Sequence, residues 1–521
     1  MTGEHAAPVS VDSPRWLLGI AVMLATVMVI LDMTIVNVAL PHMMGSLGAT
    51  ANQITWVLTA YIVMEAIFIP MSGFLAAWLG RRRLMLVSIS GFVVASALAG
   101  QSDSLAEMVL FRLLQGGFGA AVIPLSQSIM VDNFPSDERG KAMALWGVGI
   151  MLGPILGPTL GGYITQYLNW RWVFYINVPI GIINLLMISR LMKPETPRWE
   201  KFDWIGALLL AAGIGSLQIL LDRGNQENWF HSGMIIAMAM ISITGLVTFA
   251  LRSWSRPDSV LQLHLLKDRN LVLASLMMAG FGMALFGMIV LQPLMLERLF
   301  GYPAETTGLV MAPRGLASAL GMFVVSGLIS RVGAPRLVLV GLVLAAAGTW
   351  PMTWYNLDLS IGWFIWPSVL QGLGMGMIFV PLSTLVYETL PRSATDQGSA
   401  IFNLARTVGS AVGISIVATV FTRMTQVNWN RLGGDINPYN PALQQWLAVK
   451  HLTIADPLAP QLLAHELGRQ ASMIGFIDAY WFVTLSFLLL APLLLLFRRK
   501  PDVSLASMDS GLKIRTDVNE V

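Results

Sequence analysis

The sequence has no cysteine and few charged residues, and each shortage narrows what the chain can be. With no Cys among its 521 residues, disulfides and thiolate metal sites are excluded. Charged residues make up 12% of the sequence and hydrophobic residues 55%, whereas soluble domains usually carry about 25% charged residues. The 6 histidines show no metal-ligand spacing. This composition indicates an integral membrane protein that holds no metal.

Nucleotide-driven and enzymatic functions find little support in the sequence. There is no G-x-x-x-x-G-K-[ST] loop, which disfavours an ATP-driven pump. A membrane enzyme such as a lipid-linked transferase would need carboxylates or metal ligands in sizeable loops, and most loops here are short. The basic residues lie in those short loops, so the pI near 9 does not indicate nucleic-acid binding. We predict a protein that is not an enzyme and uses no cofactor.

Most of the chain divides into apolar spans long enough to cross a bilayer as helices. The first shows no A-x-A-like cleavage site and is expected to be a retained helix. We predict fourteen spans, numbered in chain order: 16–40, 54–78, 84–101, 105–130, 142–166, 172–192, 204–221, 233–251, 271–296, 306–329, 337–354, 362–389, 398–421 and 479–497.

Basic residues concentrate in the loops that follow even-numbered spans, from Arg81–Arg83 after span 2 to Arg498–Lys500 after span 14. Cytoplasmic loops carry such an excess of Lys and Arg. We therefore expect both termini to be cytoplasmic in a multi-pass protein of the cell inner membrane. The long segment 422–478, which contains two helical-looking stretches, should face the opposite side.

Spans 4 and 5 carry the most distinctive pattern. In span 4, Arg112 and Gln115 are three residues apart and share one helical face, where a charge inside an apolar span is costly and usually functional. In span 5, glycines recur every fourth residue beside two prolines, which membrane helices tolerate because neighbouring helices satisfy the freed backbone groups. The set is Gly149, Gly153, Pro154, Gly157, Pro158 and Gly161.

The two motifs, R-L-L-Q-G-G-F-G-A-A and G-I-M-L-G-P-I-L-G-P-T-L-G-G, resemble the fourth- and fifth-helix motifs of the major facilitator superfamily. The second is associated in that family with proton-driven antiporters, where the glycine-proline helix is thought to bend and seal the two halves during alternating access. The resemblance implies that the span 5 glycines and prolines gate conformational change. Close helix packing alone is the alternative.

An internal repeat divides the chain. The segment Q-G-G-F-G-A-A-V-I-P-L-S begins at Gln115, and Q-G-L-G-M-G-M-I-F-V-P-L-S begins at Gln371, so span 4 matches span 12. The fold class expected is an all-α membrane protein with the major facilitator fold: two six-helix bundles, two extra central helices and 14 transmembrane helices. The expected divisions are a tail 1–15, a first half 16–192, an insert 193–270, a second half 271–497 and a tail 498–521.

Fourteen spans narrow the resemblance to the drug:proton antiporter branch of the EmrB/QacA type. L-D-M-T-I-V-N-V-A-L-P in span 1 and W-R-W-V-F-Y-I-N-V-P-I-G at span 6 resemble signatures of that branch. The resemblance implies a proton-coupled multidrug efflux transporter that exports amphipathic small molecules and confers antibiotic resistance, driven by the proton motive force. The alternative is a proton-coupled exporter or symporter of one specific metabolite on the same fold.

The segment 422–478 also resembles the EmrB group, which works with a periplasmic adaptor protein and an outer-membrane channel. A folded cap on the exit side is the alternative role. The loop after span 2 departs from the family pattern, because Ala77 and Trp78 replace an acidic and a basic residue. We therefore do not expect a charge-based latch at this loop.

Three charged side chains inside the first-half spans are candidates for proton coupling: Asp32, Glu65 and Arg112. A carboxylate in hydrocarbon should be protonated, paired or facing a cavity. Asp32 is the first choice as proton carrier, with Thr34 and Asn37 as possible hydrogen-bond partners, and Glu65 is the competitor. Arg112 is expected to neutralise one of them, and a purely structural ion pair is the alternative.

Polar side chains in other spans are candidates for the substrate cavity. They are Asn37, Tyr61, Gln115, Gln292, Arg314, Asn403 and Arg406. If Arg314 and Arg406 face the cavity, they should favour anionic or polar substrates; helix-to-helix hydrogen bonding is the alternative. Asp222 and Arg223 are expected to be structural, at the outer end of span 7.

Overall fold

The computed structural model describes residues 13–135, 138–195, 202–254, 256, 259–437 and 439–497. Side chains are not described at 13, 14, 51, 52, 155, 158 and 304. The predicted tails therefore lie almost wholly outside the described residues. Regular structure in the described ranges is helical throughout, which confirms the predicted all-α class.

Every predicted span coincides with helical structure. Within the described ranges, 13 helices are long and apolar enough to cross a membrane, or 14 when span 5 is counted with its 41° bend between Pro154 and Thr159. In chain order the spans are Ser13–Leu47; Trp56–Phe68, Ile69–Met71 and Ser72–Leu79; Arg81–Gln101; Leu105–Gly119 and Val122–Asn133; Arg139–Tyr167; Trp172–Tyr175 and Asn177–Leu191; Trp204–Arg223; Gly233–Ser253; Arg269–Arg298; Ala304–Val332; Ala334–Thr349 and Trp350–Trp354; Ile361–Leu385; Thr395–Gly433; and Ala459–Leu490 with Ala491–Leu496.

The predicted boundaries fail at span 1, which ends at Leu47 rather than 40, and at the last three spans. Span 12 ends at Leu385 rather than 389. Span 13 continues to Gly433, and span 14 already begins at Ala459, so the predicted loop 422–478 is largely helical. The polar extensions of these helices pack together, with the rings of Phe421 and Phe476 4.3 Å apart. Hydropathy detects only the part of a helix that lies in hydrocarbon, which is why the extensions were missed.

The short helix Pro441–Val449 caps these extensions. Leu443 and Leu447 are buried with Ala459 in a small apolar cluster of their own. We call the structure formed by residues 422–478 the helical hairpin. The helix Pro441–Val449 and the first part of Ala459–Leu490 correspond to the two helical-looking stretches expected from the sequence. The extension of span 13 to Gly433 was not expected.

Glycines set the close helix contacts inside each half. A Cβ on Gly116 of span 4 would overlap the backbone of Tyr61 on span 2, and a Cβ on Gly372 of span 12 would overlap the backbone of Arg314 on span 10. Small residues allow such approaches in a bilayer, where apolar burial alone does not hold helices together. The repeated sequences therefore make the same contact twice.

Spans 7 and 8 form a hairpin beside span 2. They approach each other closely at Gly213 and Gly245, and Arg252 forms an ion pair of 2.9 Å with Asp203 at one end. Thr59 of span 2 donates a hydrogen bond to Asp222 at the other end of span 7. The Arg223 guanidinium lies 4.2 Å from the Trp56 ring centroid. Asp222 and Arg223 thus both contact span 2 at the end of span 7, which agrees with the structural role expected for them.

Candidate functional site

Asp32 is the centre of a buried polar network in the first half. Arg112 Nη1 lies 2.5 Å from one carboxylate oxygen, and Gln115 Nε2 lies 2.8 Å from the other. Asn177 Nδ2 on span 6 donates a third hydrogen bond, at 2.7 Å. All of these side chains are buried. The charge of Asp32 is thus balanced by a cation and supported by two amides, the arrangement a buried ion pair requires.

The predicted partners of Asp32 are wrong. The Thr34 hydroxyl donates to backbone oxygens, including that of Gly153 at 3.0 Å. Asn37 is exposed and donates to the Met33 carbonyl at 3.1 Å. Residues two and five positions along a helix point well away from the starting residue, since each step turns the helix by about 100°. Asn37 therefore lies outside the buried network.

Glu65 is buried in span 2 but has a different environment. It is 2% exposed, and its Oε2 atom has no hydrogen-bond partner among the described residues. Tyr61, one turn earlier, is buried with an unpartnered hydroxyl, and its ring packs 4.2 Å from the Arg112 guanidinium. A 3₁₀ turn at Ile69–Met71 interrupts the helix directly after this site.

Arg406 of span 13 lies near Glu65 of span 2, on the other side of the boundary between the halves. Arg406 is itself buried, and its Nε atom has no hydrogen-bond partner in the described chain. The two residues form no ion pair within the described part of the structure.

Asn403, one turn before Arg406, joins the halves directly. Its Nδ2 donates to Gln127 Oε1 on span 4 at 2.5 Å, and the Ser399 hydroxyl donates to the Pro124 carbonyl at 2.7 Å. These contacts form a buried polar seam between spans 4 and 13. Asn403, expected to line the substrate cavity, thus forms a hydrogen bond between helices, and a role in substrate binding stays a prediction.

The buried polar groups of the second half are built around an uncharged pair, Gln292 and Ser368. Gln292 Nε2 on span 9 donates to the Ser368 hydroxyl on span 12 at 2.8 Å. Arg314 Nη1 donates to Gln292 Oε1 at 3.2 Å, and no carboxylate of the described residues pairs with Arg314. Gln371, the counterpart of Gln115 in the repeat, donates to Thr349 at 2.9 Å.

A small cavity lies beside Arg314, between the two halves. Its volume is about 30 Å³, enough for a water molecule or two but far below the roughly 300–1,000 Å³ of drug-sized sites. Span 5 contributes two of the residues that line it, and spans 9, 10 and 12 contribute the others. The lining residues are Met151, Pro154, Leu285, Ile289, Met311, Arg314, Gly315, Ser318 and Met375.

The glycine stripe of span 5 packs against span 1 in the same half. A Cβ on Gly149 would lie 2.7 Å from Met23, and one on Gly161 would lie 3.0 Å from the Ile35 carbonyl. Gly153 and Gly157 are tighter still, against Ile30 and Thr34. Pro154 borders the cavity, and the Pro158 side chain lies outside the described residues. Close packing is thus observed, and gating stays a prediction.

A charged lock closes the end of the bundle that carries the loop after span 2, which we call the Arg81 end. Arg81 Nη2 lies 2.6 Å from Asp132 of span 4, and Arg81 Nε lies 3.0 Å from Asp396 at the start of span 13. The expectation that this loop lacks a charge-based latch is therefore wrong. The acidic partners come from other spans, so the replacements at Ala77 and Trp78 do not abolish it.

Sequence reasoning missed several residues of the network, chiefly Asn177, Gln127 and Asp132. Asn177 is a lone polar residue in an apolar run, whereas Gln127 lies between two serines and Asp132 precedes Asn133. A polar residue in or beside an apolar span was the available signal. Among the described residues, no cluster of three His, Cys, Asp or Glu side chains is arranged to hold a metal. The buried chemistry available is therefore proton exchange and the pairing of charges.

Comparison with known proteins agrees with this architecture. The family description Major Facilitator Superfamily matches residues 22–414. Multidrug export protein EmrB of Haemophilus influenzae is 34% identical over 476 residues, covering 91% of this chain and 93% of that protein. Fatty acid resistance protein FarB of Neisseria gonorrhoeae is 34% identical over 480 residues, covering 90% and 93%.

Solved structures share the fold at low identity. The proton:xylose symporter XylE superimposes with a TM-score of 0.60 at 14% identity, covering 92% of this chain and 95% of that one. The human organic anion transporter TETRAN gives 0.59 at 17% identity, covering 91% and 99%. From the matched family, the full-length relatives and the shared fold, this chain belongs to the Major Facilitator Superfamily and is a membrane transporter rather than an enzyme.

Proposed function

We propose that this protein is a proton-coupled multidrug efflux transporter that exports amphipathic small molecules by alternating access. Relatives named for multidrug export align over nine tenths of the chain. Glu65 carries the proton-coupling part of the proposal. It is buried between the halves with an unpartnered carboxylate oxygen, and protonation removes the cost of burying its charge.

The two carboxylates of the first half take different roles in this proposal. Asp32 is held by Arg112, Gln115 and Asn177, so losing its charge would leave Arg112 buried without a partner. Glu65 has no such clamp, and Arg406 approaches it from the second half. When the halves move apart, Glu65 loses the influence of that cation. Its affinity for a proton then depends on the conformation, so Glu65 replaces Asp32 as the preferred carrier.

Alternating access in this proposal proceeds by opening the polar seam and the charged lock. Asn403–Gln127 and Arg81–Asp396 both join the first half to the second. We propose the halves 16–192 and 271–497 as the moving units, linked by 193–270. The bend of span 5 next to Pro154 places the gating motif beside the inter-half cavity.

The proposed topology puts both termini and the Arg81 end in the cytoplasm of the inner membrane, and the helical hairpin in the periplasm. Because the chain has no native cysteine, Asp435→Cys introduces a single reactive thiol. We expect an impermeant thiol reagent to label it from outside spheroplasts. Labelling only after the membrane is permeabilised contradicts this topology.

We further propose that the helical hairpin contacts a periplasmic adaptor protein that leads to an outer-membrane channel. Its surface supports this, since Tyr439 is 90% exposed and Val449 82% exposed. A photo-crosslinker at Tyr439 should capture a periplasmic protein, whereas one at the lipid-facing Leu208 should not. Capture only of this chain itself contradicts the proposal and favours a folded cap.

The function is tested in proteoliposomes with a pH-sensitive dye trapped inside. In an antiporter, a substrate added on one side of the membrane moves to the other side, and protons move in the opposite direction, into the compartment to which the substrate was added. A symporter of a single metabolite moves protons in the same direction as its substrate. Proton movement along with the substrate, or response to one metabolite alone, contradicts the proposal.

A further inference from the structure

Arg314 is a buried cation that the described chain leaves without an anionic partner. It is 8% exposed, and among the described residues its side chain donates a hydrogen bond to the neutral Gln292 at 3.2 Å. A buried guanidinium is costly unless it is paired, and its planar fork is suited to bidentate binding of a carboxylate or similar oxyanion. The structure therefore contains an energetically unfavourable buried charge, that of Arg314, at the interface between its halves.

The other buried arginines of the spans differ from Arg314 in this respect. Arg112 is paired with Asp32 at 2.5 Å, and Arg406 lies near Glu65. Arg223, at the end of span 7, follows Asp222 directly and lies 4.2 Å from the Trp56 ring centroid. Arg314 is the cation whose balancing charge does not come from the described chain.

The surroundings of Arg314 are apolar and adaptable. Its cavity is walled by three methionines together with Leu285 and Ile289, and methionine side chains repack readily around ligands of different shape. Ser318, one turn from Arg314, adds a buried hydroxyl with no partner among the described residues. Ligand sites commonly combine such apolar walls with a few convergent polar groups.

We infer that Arg314 binds the anionic group of the substrate, and that the preferred substrates are amphipathic oxyanions, with a carboxylate or sulfonate on an apolar body. This inference rests on the proposed exporter function and specifies its substrate class. Arg314 supplies the bidentate contact, Ser318 donates one further hydrogen bond, and the methionine walls hold the apolar body.

The cavity must widen before it can hold such a molecule. Met151 and Pro154 belong to span 5, whereas Arg314 belongs to span 10, so separation of the halves enlarges the space in front of the guanidinium. The gating helix therefore forms one wall of the substrate site. An anion bound at Arg314 supplies the negative charge that offsets the desolvated cation in the widened state.

The test compares an anionic and a cationic probe of similar size, anilinonaphthalene sulfonate and tetraphenylphosphonium, in proteoliposomes with an imposed proton gradient. The readout is the ratio of anion export to cation export. In Arg314→Gln we expect this ratio to fall by about 10- to 100-fold, the loss expected for a charge-assisted hydrogen bond. Arg298→Gln removes the same charge from an exposed position at the end of span 9 and should leave the ratio unchanged.

An unchanged ratio in Arg314→Gln overturns the inference. If that variant does not reach the membrane, Arg314→Lys provides the same comparison, because it keeps the charge and loses the fork; a lowered ratio supports the inference and an unchanged one overturns it. Wild-type export of the cation alone overturns the substrate class and leaves the exporter function standing. Export of neither probe overturns the exporter function itself.

Discussion

Gly116 packs on the backbone of Tyr61 in the first half, and Gly372 packs on the backbone of Arg314 in the second. This shared contact aligns the halves residue by residue. Three positions before each glutamine of the repeat, Arg112 corresponds to Ser368. Arg112 binds Asp32 on span 1, whereas Ser368 accepts a hydrogen bond from Gln292 on span 9. One framework thus holds an ion pair in one half and a neutral pair in the other.

The same alignment separates the remaining functional groups. Since Tyr61 corresponds to Arg314, Glu65 corresponds to Ser318, one turn further along each helix. The first half therefore carries the buried carboxylates, and the second half carries the buried cation without a carboxylate. In the proposed mechanism, proton exchange belongs to the first half and recognition of the substrate charge to the second.

The largest effect is expected from breaking the ion pair of the first half. Asp32→Asn leaves Arg112 buried without a counter-ion and should cost about 3–5 kcal/mol of stability, seen as a lower unfolding midpoint of the purified protein. Asp32→Gln with Arg112→Ser copies the pair found in the second half and should recover most of that loss. If the double variant instead loses as much stability as Asp32→Gln and Arg112→Ser lose separately, added together, the two halves are not equivalent at this pair.

The comparable change in the neutral pair should be much milder. Ser368→Ala removes one hydrogen bond and is expected to cost about 1 kcal/mol in the same unfolding measurement. A cost equal to that of Asp32→Asn would mean that the difference in charge between the halves has no energetic consequence.

An intermediate effect is expected at the glycine stripe. Gly153→Leu forces a side chain into the contact with Ile30, and overpacking typically costs about 1–3 kcal/mol. We expect transport to be lost while membrane insertion persists. Gly162→Leu is the matched control, because a Cβ at Gly162 meets no atom within 4 Å. Normal transport by a well-inserted Gly153→Leu protein contradicts a gating role.

A small effect, similar in size to that of Ser368→Ala, is expected at the lock between the halves. Arg81→Gln removes two partly exposed ion pairs and should shift the balance between conformations by roughly 1 kcal/mol, about fivefold. Spin labels on the two halves at the Arg81 end should then show a larger population of long distances. Arg83→Gln, exposed on the same helix, should match wild type. If Arg81→Gln and Arg83→Gln give the same distance distribution, the Asn403–Gln127 seam rather than the Arg81 lock keeps the halves together.

The sequence predicted the fold well because each span carries its own hydropathy signal, and the repeat at Gln115 and Gln371 supplied the division into halves. The helical hairpin was less accessible. Span 13 runs on through polar residues such as Asn428 and Arg431, and hydropathy contains no information about helices outside the bilayer.

The sequence singled out Asp32, Arg112 and Gln115 as polar residues inside apolar spans, but it did not reveal their other partners. The three-residue spacing placed Arg112 and Gln115 on one face, and they do bond at 2.7 Å. That Asn177 contacts Asp32 and that Arg406 lies near Glu65 depends on which helices are neighbours in space, which one sequence does not encode locally. The roles assigned to these residues in transport stay predictions.

The central claim is that Glu65 is the carboxylate that exchanges protons. The most direct measurement compares Glu65→Gln with Glu297→Gln, an exposed carboxylate at the end of span 9, for uphill export and for downhill exchange of labelled substrate. An inward proton supplies about 2.3 kcal/mol per 100 mV, enough for roughly a fiftyfold gradient of a neutral substrate. We predict that Glu65→Gln loses this gradient but keeps exchange, while Glu297→Gln retains both. Undiminished uphill export by Glu65→Gln would contradict the account.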